Sequence, residues 1–177
     1  MKAGVAALMV VSSALVFGPT VVRAHSASDA YLNLTVDSGS PRGVFVVHGQ
    51  WDIALRDLDF VLKLDDDGDG RLSWGEVRHH QSAIERYAYA YLSFSGNSGS
   101  ACVVKPMRQM IDDHADGAYA ALFFDVVCKR DPLKLRLHYD LFFAIDPSHR
   151  GIFVVHDHAN VATAVLSPQN DVIDLAL

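Results

Sequence analysis

The chain has 177 residues, half of them apolar, which is enough for one domain with a real core. Its formal charge is −6, with nine histidines and two cysteines. That acidic balance argues against nucleic acid and anionic lipid as partners and is compatible with cation binding.

Residues 1–24 read as a secretory signal. Lys2 supplies a positive start, Val5 to Phe17 is apolar apart from Ser12 and Ser13, and Gly18-Pro19 ends the run. The run is short of the roughly 20 residues that a spanning helix needs, so cleavage after Ala24 is expected rather than an uncleaved anchor. His25 would then be the new N-terminus. Lys2 and Arg23 are the only charges removed, leaving a mature charge of −8. A periplasmic or secreted location follows as an expectation. There the two cysteines, Cys102 and Cys128, are expected to pair, since they are far apart and lack a CxxC metal spacing.

Residues 25–177 are expected to form one exported β-rich domain. Residues 30–51 predict two strands: Leu32, Leu34 and Val36 alternate with polar neighbours, and Val44 to Val47 follows a turn-rich Asp37–Arg42. The period then changes. Ala54, Leu58, Val61 and Leu62 share a helical face, with Asp52 as a candidate cap. Val77, Ile84, Tyr87, Ala88 and Tyr91 predict a second helix over about Trp74–Tyr91. After the Gly- and Ser-containing stretch 93–100 the chain reads as strands again. These are a short one over Ala101–Pro106, a long apolar one over Tyr119–Cys128, and an alternating one over Leu133–Leu141. Ile152–Val155 and Val161–Leu166 follow. The fold class is therefore mainly β (α+β): a β-sandwich-like domain with a helix-loop-helix inserted at about residues 53–91.

Between the two helices lies Asp65-Asp66-Asp67-Gly68-Asp69-Gly70-Arg71-Leu72-Ser73-Trp74-Gly75-Glu76, which fits the EF-hand pattern D-x-[DN]-x-[DN]-G-x5-E. A calcium ion takes six to eight oxygens with loose angular demands, and a twelve-residue loop can wrap it. Asp65, Asp67 and Asp69 are the inward carboxylates. Arg71 would contribute its backbone carbonyl, Ser73 would ligate directly or through water, and Glu76 would close the site with both oxygens. Gly70 permits the sharp turn, and Leu72 packs inward. Magnesium is expected to bind more weakly, because a bidentate Glu enlarges the site beyond an octahedral fit. A single loop points to a structural ion rather than a sensor. Asp112 to Gly117 is also acidic but lacks the spacing and the closing Glu.

The histidines suggest an alternative, transition-metal handling. A terminal His25 offers an amine and a ring nitrogen to copper or nickel, and His156 and His158 would share a strand face. His79-His80 reads as a solvated helix surface. His48, His138 and His149 are isolated, and Asp146 to Gly151 reads as a dense polar turn. No nucleophile constellation, HExxH or phosphate loop is present, so no enzyme activity is expected.

His25-Ser26-Ala27-Ser28 with Tyr31-Leu32, the segment from Gly49-Gln50-Trp51-Asp52 to Arg56-Asp57-Leu58-Asp59, the loop with Trp74 and Glu76, and Asp146 to Gly151 together carry a resemblance. Over most of residues 24–170 the chain resembles the exported N-terminal domain of HupE/UreJ-like bacterial membrane proteins. In that family the domain precedes several membrane helices, and some relatives are proposed to handle nickel or cobalt. The resemblance implies a membrane-protein partner. This chain reaches Leu177 without a span, so a stand-alone or truncated relative is expected, and no transport role carries over.

Overall fold

The computed structural model describes residues 28–37, 44–96, 99–129, 134–158 and 160–176. The expected signal segment, His25, most of the 37–42 turn and Leu133 lie outside them. The protein is mainly β, with nine strands and three short helices among the described residues.

Six strands form one sheet in the order β4-β5-β2-β1-β7-β8: β1 (Asp29–Val36), β2 (Phe45–Ala54), β4 (Val103–His114), β5 (Gly117–Cys128), β7 (Arg150–Asp157) and β8 (Asn160–Leu166). A three-stranded sheet has the order β3-β6-β9, from β3 (Leu92–Ser95), β6 (Lys134–Tyr139) and β9 (Val172–Ala176). Every strand pair is antiparallel except β1–β7, where Asp29 pairs with Arg150 and Thr35 with His156. Between β2 and β3 lie α1 (Leu55–Leu62), α2 (Trp74–His79) and α3 (Gln81–Tyr89).

Alternation along the strands fixes which face is buried. Leu32 and Leu34 on β1, Val47, Trp51 and Ile53 on β2, and Leu122, Phe124 and Val126 on β5 enter one core. Leu135, Leu137 and Tyr139 of β6, Leu175 of β9, and Leu58, Val77, Ile84 and Ala88 of the helices enter the same core. Rings join the two sheets across it. Trp51 meets Tyr139 edge-on at 5.8 Å between centroids, and Phe94 lies 6.3 Å from Phe124.

One close approach inside this core can be tested. Gly49 pairs with Phe124 across β2 and β5, and a Cβ on Gly49 would overlap the Phe124 ring. Gly49→Ala is expected to cost about 2 kcal/mol through overpacking, read as a lower denaturant midpoint with an unchanged slope.

Several expectations need correction. The strand expected over Ala101–Pro106 runs on to His114 as β4. Most of its side chains are exposed, so it carries no hydrophobic period, and it exists because β5 pairs with it along its length. Its register shifts between Pro106 and Arg108, where proline cannot donate to a ladder. The helix expected over Trp74–Tyr91 is two helices. His80 sits between them at φ −91°, ψ 5°, with its carbonyl accepting from both Ala83 and Ile84. Asp52 does not cap α1. It lies in β2, buried, and the cap position falls to Ala54, which makes no side-chain cap bond. Strands β3 and β9 were not expected.

The cysteine pairing is present: Cys102 and Cys128 form a disulfide that closes the open end of the β4–β5 hairpin. No described helix is long and apolar enough to cross a membrane.

Candidate functional site

The loop after α1 is organised by its own carboxylates. Lys63 ends α1 in the left-handed conformation (φ 56°), and Asp59 Oδ1 accepts from the backbone N–H groups of Leu64 and Asp65 at 2.7 and 3.1 Å. These bonds satisfy free amides beyond the helix end and turn the chain into the loop. Leu64, fully buried, anchors it in the core.

Asp65 is the hub of the turn. Its two oxygens accept from Gly68 N at 2.8 Å and Gly70 N at 2.9 Å. Gly68 and Gly70 have φ of 73° and 77°, with open space where a Cβ would stand, so glycine is required there by conformation rather than by crowding. Asp67 accepts from Asp69 N at 3.1 Å, and Asp69 accepts from Arg71 N at 2.7 Å.

Glu76 closes the loop. Its Oε1 accepts from Asp66 N at 2.9 Å and its Oε2 from Ser73 N at 2.8 Å, while Ser73 Oγ accepts from Glu76 N at 3.3 Å. The last two bonds form a capping box that starts α2. These backbone amides, those of Ser73 first, hold the Glu76 carboxyl below the ordinary glutamate range. A depressed carboxylate stabilises the fold above its unfolded value of 4.5, and that contribution is lost as pH falls through the lower folded value.

Asp65, Asp67 and Glu76 each bring a carboxylate oxygen within 4.8 Å of the others. Two oxygens on opposite sides of a calcium ion are about 4.6–5.2 Å apart, so the three fit around one such ion. The set is all oxygen and triply anionic, which suits a hard divalent cation. Asp69 is not among the converging three, and its carboxylate accepts from Arg71 N. Arg71 and Ser73 line the same loop, the first exposed and the second holding the capping box. Leu72 packs partly against the core, as expected.

Two supports were not visible from the motif. Asp59 lies outside the pattern. Asp66, a free position of the pattern, pairs with His80 Nε2 at 2.8 Å and ties the loop to the break between α2 and α3. That contact is 14 residues apart, beyond any helical spacing, and it corrects the reading of a solvated face for His80, while His79 is exposed as expected. A cleft of about 490 Å³ separates the loop, at Gly70 and Leu72, from Ile111, Asp113 and Tyr119 of the β4–β5 hairpin.

The other histidines fall elsewhere. His156 is the one exposed residue of β7, next to its last residue Asp157. His158 leaves the strand with φ 52° and bonds Asp157 at 2.6 Å, so the two do not continue along one strand face.

His149 is fully buried. Ser28 Oγ donates to Asp57 Oδ2 at 2.9 Å, which leaves it to accept from His149 Nδ1–H at 2.7 Å. Tyr139 O–H then donates to His149 Nε2 at 2.6 Å. The chain of bonds joins the start of β1, α1, β6 and the entry to β7, and it assigns a neutral imidazole. Burial pushes the His149 ring down to about 4, with Asp146 opposing that shift. The polar turn expected here hides a core residue.

No protein-family model matches the chain. A search of curated proteins also finds no match.

Proposed function

We propose that the protein is an exported calcium-binding protein, with a solitary EF-hand loop at Asp65–Glu76 whose ion fixes the helical segment on the β domain. The observation that carries this reading is the convergence of the Asp65, Asp67 and Glu76 carboxylates inside a loop of full EF-hand pattern. Three like charges held together repel one another, and a bound dication reverses the sign of that term. The apolar leader and the disulfide support a location outside the cytoplasm. The resemblance to the exported domain of HupE/UreJ-like proteins supports a membrane-protein partner.

Calcium titration calorimetry of the mature chain tests the reading. One equivalent should bind with a dissociation constant on the order of 0.1–1 mM. At a hundredfold excess over that constant the ion adds about 2.7 kcal/mol, or roughly 5–11 °C in Tm. Magnesium at the same concentration should add less. Asp65→Ala, which removes a ligand and the acceptor of two loop amides, should abolish both the heat and the Tm gain. A wild-type chain without calcium heat, or an Asp65→Ala variant that keeps it, would sink the proposal.

A further inference from the structure

A second cluster of donors lies on the other face of the large sheet. Asp52 on β2 and Asp112 and His114 at the end of β4 stand on either side of β5, which presents Ala121 and Tyr119 between them. None of these side chains belongs to the hydrophobic core cluster, although Asp52 is only 4 % exposed.

His114 Nε2 lies 3.7 Å from Asp52 Oδ2 and 3.8 Å from Asp112 Oδ2. Both separations are too long for a hydrogen bond. They are close to what a shared ion requires, since ligands 2.0–2.1 Å from a tetrahedral zinc sit about 3.3–3.4 Å apart. The three ligand atoms all lie within 4.8 Å of one another, and Asp112 is exposed enough to move its carboxylate toward a shared ion.

Three further features favour a cation. Asp52 is a buried carboxylate whose charged neighbours are His114 and a second carboxylate, Asp112, and burying such a group without a full positive partner is costly. Gln50 Nε2 donates to both Asp52 oxygens, at 2.9 and 3.1 Å, and so sets the carboxylate's orientation. The His114 ring is held by stacking on Tyr119 at 4.0 Å between centroids and 18° between planes.

We infer that Asp52, Asp112 and His114 form a binding site for a borderline divalent transition-metal ion such as Zn²⁺, separate from the acidic loop. An imidazole nitrogen beside two carboxylates suits such an ion better than calcium, which seeks six or more oxygens. Three protein ligands leave a coordination position for water.

The test is a Zn²⁺ titration of the mature chain with calcium already saturating the loop. One equivalent should bind with a dissociation constant in the micromolar range or tighter. His114→Gln and Asp112→Asn should each weaken it on the order of tenfold or more, Asp112→Asn being an exposed change that leaves the fold intact. His156→Gln should leave it unchanged. The calcium heat of all three variants should match wild type, so failure here is distinct from failure of the loop assignment. Absence of zinc binding, or equal zinc affinity in wild type, His114→Gln and Asp112→Asn, would overturn the inference. So would loss of zinc binding in His156→Gln alone.

Discussion

Reducing the Cys102–Cys128 disulfide is expected to destabilise the protein by about 3.5 kcal/mol, the loop-entropy value for a closure of this size. The position of the bridge makes that loss concentrated. β5 is paired on both sides, by β2 and β4, but β4 is an edge strand whose one neighbour in the sheet is β5. Its pairing begins at Val103–Val127, one step from the bridge, and ends at the His114–Gly117 turn. The edge strand is largely exposed and contributes little apolar burial to hold itself in place. Thermal unfolding with and without reductant, and of Cys102→Ala/Cys128→Ala, should show a fall of roughly 7–14 °C in Tm. A change equivalent to less than 1 kcal/mol, in ~order-of-magnitude terms, would mean that the β4–β5 ladder holds the edge without the bridge.

Acid should weaken the fold well above the pH at which carboxylates titrate, and His149 is the reason. Free histidine takes a proton near 6.5, whereas burial pushes the folded His149 down to about 4. Between those values the unfolded chain binds a proton that the folded chain refuses. Stability is therefore full above the unfolded value and falls as pH drops from 6.5 towards 4, by about 3 kcal/mol in all. Geometry gives the same direction. A second ring proton on Nε2 would displace the hydrogen bond that the Tyr139 hydroxyl now donates, and it would place a charge on a fully buried ring. Denaturant unfolding measured from pH 7 to 4 should show this slope, and His149→Gln should flatten it. A wild-type stability that stays level across that interval would count against the neutral, buried assignment.

The parts of the molecule that the sequence announces are those decided within a dozen residues. The acidic loop is legible because each of its positions answers a local demand: carboxylates at alternate places, a left-handed turn at Gly70, a closing Glu76. The alternation in β1 and β6 is legible because one face meets the core. What fails to show is set by partners far along the chain. β4 has no apolar period because an exposed edge strand needs none, and β5 supplies its order through hydrogen bonds. The helix break at His80 is tied to Asp66, which no helical spacing would pair with it. His149 reads as a loop residue because Asp146, Pro147 and Gly151 around it are turn formers. Its burial comes from Ser28 and Tyr139, each on a different strand or strand entry. Asp52 looks like a helix cap because a helix does begin three residues later. Only the pairing of β2 with β5 places it opposite the end of β4.

The parallel pairing of β1 and β7 bears on the order in which the chain can fold. Asp29 meets Arg150 about 120 residues further along, and β1 sits between β2 and β7 in the sheet. A hairpin of β1 and β2 can form early, but its outer edge stays uncovered until β7 arrives. Closing so long a loop is slow, and an uncovered strand edge invites pairing with other chains in the meantime. The large sheet is thus complete only after its last strands, β7 and β8, have joined the first.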